Sequence, residues 1–304
     1  MRIALIGYGE VGRILAEDLA AHGHALAAFD LKLTAGRGDG APLRTHAAGL
    51  GVRLAGSHAQ AVEGAELVIS AVTASQAVAV AEACASGLAA DAFFLDFNSA
   101  SPGAKIRAAE AVHAAAGRYV EGAVMTSVPP YRSGVPLLLG GPHAATLKPL
   151  LDELGFAPKV HSTQFGVASA TKMCRSVMIK GLEAMVIESF TTARAHGVED
   201  AVIASLCETF PGIDWEKQAA YFFQRVIEHG RRRSEEVREV AATVREAGLV
   251  PYSAEGTAER QAHIADLADA GVFGLRGEPG FARSADWRVE ADRLLAALTP
   301  KDQA

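Results

Sequence analysis

Near the amino terminus, Gly7-Tyr8-Gly9-Glu10-Val11-Gly12 has the form G-x-G-x-x-G. That spacing suits a pyrophosphate lying against backbone. The first glycine permits a tight strand-to-helix turn, the second clears a side chain from the path of the phosphates, and the third lets the helix pack on the strand. Free N–H groups and the positive end of the helix dipole then face the anion. In a chain with 30 glycines the pattern alone is weak, because an ordinary turn looks the same. Its setting makes it specific. The apolar run Ile3-Ala4-Leu5-Ile6 leads into it, a helical stretch leaves it, and the next apolar run, Ala25–Phe29, ends in Asp30. A carboxylate there can accept both ribose hydroxyls of a dinucleotide and repels a 2′-phosphate. NAD is therefore expected over NADP, a preference that the neighbouring Lys32 moderates.

A second group lies far along the chain, in Gly166-Val167-Ala168-Ser169-Ala170-Thr171-Lys172-Met173-Cys174-Arg175-Ser176. At about 100° per residue, Lys172, Ser176, Ile179 and Glu183 share one stripe of a helix, with Arg175 on its edge. Most lysines are solvated surface charges. A partly buried lysine beside a second cation favours the neutral amine more than usual, which suits proton transfer.

Elements of two kinds must position these groups. In the first half, short apolar runs at Ile3–Ile6, Ala25–Phe29, Val52–Ala55, Leu67–Val72, Ala92–Asp96 and Tyr119–Met125 alternate with helical stretches such as Val11–His22, Ala74–Ala85 and Pro102–Ala116. Alternation of this kind predicts a parallel sheet with helices on both faces. Two more short strands are expected at Pro136–Leu139 and Lys159–His161, with a helix between them. Beyond about residue 163 the strand signal stops. One long helix is expected over Gln164–His196, then helices at Glu199–Thr209, Trp215–Glu228, Ser234–Glu246, Ala254–Ala268 and Trp287–Leu298. The expected organisation is an α/β Rossmann-type domain over 1–163 and an all-α domain over 164–304.

Composition narrows the function classes. The 304 residues are half hydrophobic and carry a net charge of −6, so no broad basic field invites nucleic acid or an anionic membrane. Cys84, Cys174 and Cys207 are few and scattered, which fits neither a disulfide framework nor a metal site and points to a reducing cytoplasm. No uninterrupted apolar stretch is long enough to span a bilayer. The N-terminal strand breaks at Gly7 too early for a secretory signal.

The Gly7–Gly12 turn, the Lys172 helix and the loop Asp96-Phe97-Asn98-Ser99-Ala100-Ser101-Pro102 occur in the order and spacing of one family. To about residue 200 the chain resembles the 3-hydroxyacid (β-hydroxyacid) dehydrogenase superfamily, which includes 3-hydroxyisobutyrate and 6-phosphogluconate dehydrogenases. Arg231–Glu236 and Gly248–Arg260 are more similar to a branch whose C-terminal domain has no known function. The resemblance implies Lys172 as the catalytic acid–base group. It places Gly166 at the first glycine of the family's helix motif, with Ala168 in place of the second. It implies that Asn98, Ser99 and Ala100 hold a substrate carboxylate, Ser101 and Pro102 opening the following helix with free N–H groups. Arg175 and Ser176 stand where the family has paired asparagines and would orient the substrate, Arg175 through a carboxylate or phosphate. Val72 and Thr73 would lie near the nicotinamide ribose. Where the family has Ser-Gly-Gly after the sixth strand, this chain has Met125-Thr126-Ser127, with Thr126 facing the substrate.

Other residues invite a bland and a functional reading side by side. Arg231-Arg232-Arg233 could grip the far end of an anionic substrate, or pair with nearby acids on a solvated helix. His229 could line a pocket or favour a helix C-terminus. Glu183 could orient the Lys172 stripe or face solvent. Tyr131 and Arg132 could close over substrate. The expected reaction is hydride exchange between NAD or NADP and a small-molecule carboxylate bearing a β-hydroxyl. The rivals are an imine (C=N) reductase of similar architecture and a non-catalytic NAD(P)-binding protein. The resemblance also implies a homodimer or larger homo-oligomer joined through the helical half.

Overall fold

The computed structural model describes residues 1–34, 39–282 and 284–298. Eight strands form one sheet: β1 (Arg2–Ile6), β2 (Ala25–Phe29), β3 (Arg53–Leu54), β4 (Leu67–Ser70), β5 (Phe93–Asp96), β6 (Arg118–Val124), β7 (Pro136–Gly140) and β8 (Ala157–Ser162). Their order is β3-β2-β1-β4-β5-β6-β7-β8. The first six run parallel. The expectation of a parallel sheet needs one correction: β7 is antiparallel to β6, and β8 follows β7 in parallel. Only about a dozen residues join β6 to β7, with no crossover helix among them, so the strand returns beside its neighbour in reverse.

The buried apolar residues alternate along each strand, and the two sets feed different cores. Ile3, Leu5, Leu67, Ile69, Phe93 and Leu95 pack with helices α1 (Glu10–Ala21), α2 (Ala41–Leu50) and α6 (Ala144–Glu153). Ala4, Ile6, Val68 and Phe94 pack with α3 (His58–Val62), α4 (Ala77–Ala85) and α5 (Pro102–Ala114). The sheet is thus covered on both faces, which is why its strands read as nearly unbroken apolar runs. Neither α2 nor α3 is conspicuous in the sequence. Pro42 sits in the first turn of α2 and Gly51 ends it in the left-handed conformation. The Ser57 hydroxyl caps the five-residue α3 by accepting from the Gln60 N–H.

The remaining helices are α7 (Val167–His196), α8 (Glu199–Thr209), α9 (Trp215–Glu246), α10 (Tyr252–Asp269) and α11 (Trp287–Leu298). The backbone divides into two compact units, Met1–Cys174 and Arg175 onward. The second is helical, and its core gathers Phe190, Phe223, Phe273 and Trp287. Two helices expected at 215–228 and 234–246 are one. Gly230, in the gap expected between them, is buried inside α9, where a Cβ would lie 2.8 Å from the Gln261 backbone oxygen. Its missing side chain lets α10 approach closely.

Candidate active site

The turn after β1 matches the form a pyrophosphate needs. Gly7 has φ +90°, and a Cβ there would sit 2.3 Å from the Ala71 oxygen. A Cβ on Gly12 would lie 2.1 Å from the Gly7 oxygen. Above Gly9, by contrast, nothing lies within 4 Å of where a Cβ would be, and no side chain caps the α1 start at Gly9. The helix opens toward clear space with its N–H groups uncapped, so the residues present fit a dinucleotide phosphate. Glu10 is exposed and Val11 half-buried at that opening. β1 and β4 are adjacent strands whose chains continue to opposite sides of the sheet, the place where open α/β sheets bind ligands.

Asp30 follows β2, and both its oxygens accept backbone N–H groups, Oδ2 from Tyr8 and Oδ1 from Lys32, each at 2.9 Å. The carboxylate is held at the turn and is half-buried. Tyr8 departs from expectation. Its N–H is taken by Asp30 and its ring is buried in the core, where its hydroxyl meets His46 Nδ1 at 3.0 Å. Burial pushes the Tyr8 phenol up to about 12, with opposing effects from Arg13 and Glu17. Tyr8 therefore supports the turn from behind.

The loop after β5 divides its residues between two tasks. Asn98 is buried, and its side chain is committed to the strand ends: Oδ1 accepts from the Val72 N–H at 2.7 Å and Nδ2 donates to Ser70 Oγ at 3.0 Å. Asn98, expected to hold a substrate carboxylate, thus has its side chain engaged within the protein. Ser99 is half-buried, and Lys172 Nζ donates to its Oγ at 2.5 Å. Ala100 is fully buried. Ser101 caps α5 by accepting from the Ala104 N–H, as expected. Beneath the loop lies a buried network that sequence reading missed. Lys105 Nζ pairs with Asp96 Oδ1 at 3.1 Å and donates to the Asp96 oxygen at 2.9 Å, and the Tyr119 hydroxyl donates to Asp96 Oδ2 at 2.7 Å. Burial, and then the adjacent Asp96 carboxylate, hold the Tyr119 phenol well above its ordinary value. The spacing Asp96 to Lys105 was the available signal, since a lysine on the inner face of α5 needs a buried anion.

Lys172 thus meets Ser99, although 73 positions separate them. Arg175 and Ser176 lie on the next turn of α7, Arg175 exposed and Ser176 buried. Thr73 is exposed beyond β4. Thr126 is exposed between β6 and β7.

The remaining candidates are mostly engaged within the protein. Arg231 pairs with Asp266 and Asp269, Arg232 with Glu236, and the buried Arg233 with Glu183. Glu183 is fully buried, facing Arg233 and Gln261 and not solvent. His229 is half-buried beside Glu228. Arg132 is fastened to α1 through Glu17 and Asp18, each at 2.7 Å, which argues against closure over substrate, while Tyr131 is exposed beside it. Among the described residues no group of three or more His, Cys, Asp or Glu could hold a metal, and no helix is long and apolar enough to cross a membrane.

Comparison with known proteins bears on the family and the fold. The profile of the NAD binding domain of 6-phosphogluconate dehydrogenase matches residues 2–164, and a domain of unknown function matches residues 193–264. A 3-hydroxyisobutyrate dehydrogenase of Pseudomonas aeruginosa is 27% identical over 220 residues, covering 70% of this chain and 71% of that protein. A conserved hypothetical protein from Sinorhizobium meliloti 1021, of known structure, is 36% identical, with a TM-score of 0.74 covering 98% of this chain and 97% of that one. A conserved protein of unknown function, described as structurally similar to 3-hydroxyacid dehydrogenases, is 27% identical with a TM-score of 0.67, covering 88% of this chain and 99% of the other.

Proposed function

Because the chain belongs to the family of the NAD-binding domain of 6-phosphogluconate dehydrogenase, we propose that it is an NAD(P)-dependent oxidoreductase acting on the CH–OH group of a β-hydroxyacid. The observation that carries this reading is the 2.5 Å hydrogen bond from Lys172 Nζ to Ser99 Oγ. It joins the single lysine of the helix motif to the loop that the family uses for substrate. A hydroxyl placed beside this pair, within reach of Lys172, can give its proton to the lysine in one direction and regain it in the other.

The bound dinucleotide supplies a hydride acceptor or donor, held by the Gly7–Gly12 turn and the Asp30 carboxylate. The chain's own residues do the rest. Uncapped N–H groups at α1 hold phosphate, Asp30 holds ribose hydroxyls, and the Val72 end of β4 is fixed beside them by Asn98. NAD is preferred on this reading because Asp30 disfavours a 2′-phosphate. Ser99 and the start of α5 hold the substrate carboxylate. Arg175 is exposed and, among the described residues, makes no ion pair, so its guanidinium is available for an acidic substrate group, beside Ser176. A cytoplasmic homodimer or larger homo-oligomer belongs to the same proposal.

The test is a panel of β-hydroxyacids and cyclic imines assayed with both dinucleotides on the wild type and on Lys172→Ala. Turnover of a hydroxyacid should fall by at least about 100-fold in the variant, with dinucleotide affinity nearly unchanged. Activity kept within about tenfold, roughly 1.4 kcal/mol of barrier, refutes the lysine's role. Reduction of imines alone identifies the chain as a C=N reductase, and tight dinucleotide binding without turnover identifies a non-catalytic binder.

A further inference from the structure

We propose that Glu121, on β6, is the residue that positions Lys172, by capping the start of the lysine's helix from outside the helix. The inference rests on Lys172 being the acid–base group. A helix leaves its first N–H groups without internal partners, and a side chain at the N-cap ordinarily satisfies one of them. At α7 the residue before the first turn is Gly166, which has no side chain to offer.

Glu121 takes over that role from a strand 45 positions earlier. It is fully buried, its Oε2 accepts the Gly166 N–H at 2.8 Å, and its Oε1 accepts the Ser169 N–H. Ser169 is the third residue of the helix, where an N-cap oxygen would normally bind. The negative charge also lies at the positive end of a 30-residue helix. Among the described residues no lysine or arginine pairs with Glu121, so the helix start is what compensates the buried carboxylate. The neighbouring strand is shaped for it. Gly140 is paired across from Glu121, and a Cβ on Gly140 would lie 2.7 Å from Glu121 Oε2. Asp96, its register partner on the other side, anchors the loop that carries Ser99. Adjacent positions on β5 and β6 thereby fix the two ends of the Lys172–Ser99 contact. One turn of helix separates Ser169 from Lys172, so loosening the first turn moves the amine directly.

The experiment uses the full chain with two variants, Glu121→Gln and Gly140→Ala. The first keeps the shape but turns an NH2 toward an N–H donor. The second keeps the carboxylate and crowds it. Hydrogen exchange at residues 167–172 should quicken about fivefold in both, the effect of losing a cap worth roughly 1 kcal/mol. The decisive readout is the rate at which an amine-directed acylating reagent labels Lys172 relative to the exposed Lys159, measured by mass spectrometry at one pH. That ratio should change at least about fivefold in both variants, while dinucleotide affinity holds. Faster exchange with an unchanged Lys172 ratio overturns the proposal and leaves Glu121 a cap only. Unchanged exchange overturns it too. If Glu121→Gln does not fold, Gly140→Ala decides the matter by the same ratio. Labelling needs no substrate, so a wild type without turnover would retract the dehydrogenase reading while the ratio still judged the positioning.

Discussion

The amide oxygen of Asn98 accepts the Val72 N–H at 2.7 Å, tying the loop after β5 to the loop after β4. Asn98 and Ser99 are adjacent in sequence but serve opposite sides of the site. Asn98→Ala leaves the Val72 N–H and the Ser70 hydroxyl without that partner, at a cost of about 1–3 kcal/mol. It should lower the melting temperature and weaken dinucleotide binding together. Ser99→Ala should do neither and should lower kcat. Thermal melts with dinucleotide titrations separate the two, and an Asn98→Ala protein with wild-type stability and affinity contradicts the assignment.

Asp30 is expected to set cofactor choice. Replacing it with serine removes the charge that disfavours a 2′-phosphate and shortens the reach to the ribose hydroxyls. NAD affinity should drop about tenfold, equal to roughly 1.4 kcal/mol, with NADP affinity equal or better. Fluorescence titration with each reduced dinucleotide reads the ratio. An unaltered ratio means that Asp30 serves only the Tyr8 and Lys32 N–H groups it already holds.

Lys105 and Asp96 form a buried ion pair with side-chain exposures of 1% and 0%. Removing one partner of such a pair costs more than the pair contributes, because the other charge stays in a low dielectric. Lys105→Met should therefore destabilise the protein by about 3–5 kcal/mol. A loss under about 1 kcal/mol in denaturant melts would show that water reaches Asp96.

At Gly230 two effects compete. Alanine improves helix propensity by about 1 kcal/mol. The added Cβ, 2.8 Å from the backbone oxygen of Gln261, forces α9 and α10 apart, at about 1–3 kcal/mol. Backbone yields less easily than a side chain, so crowding should win and Gly230→Ala should melt lower. A higher melting temperature would mean that the helices separate at little cost.

Stability should fall on mild acidification. Burial holds the His58 imidazole below the ordinary value of 6.5. His24, His143 and His229 are lowered by burial as well. Above pH 6.5 these groups are neutral in both states and cost nothing. As the pH falls below 6.5, the unfolded chain takes up protons that the folded chain resists, so stability is lost progressively. Melting temperatures measured from neutral pH down through this range should decline, and less steeply for His58→Phe, which keeps a ring against Phe29. A parallel decline in wild type and variant would remove His58 from the account.

The alternation of apolar runs with helical stretches was enough to place the two-sided sheet, because strands buried on both faces must be apolar throughout. The glycine-rich turn and Asp30 beside it were equally legible, since both lie within one strand-helix-strand unit. The lysine stood out through a resemblance, and its helix through unbroken helical composition. Local signals also misled. The stretch 229–233 reads as a gap between two helices, and its Gly230 becomes a close-packing position only when α10 is beside it. Asn98 reads as a reaching side chain until Val72 and Ser70 are seen to claim it. By itself the sequence determined which elements form and which residue types could do chemistry, because both depend on near neighbours. Only the tertiary structure decided which of those groups are occupied and which are presented. The partners of Glu121, Asn98, Lys105 and Arg132 come from strands and helices remote in the chain, and no local spacing encodes them.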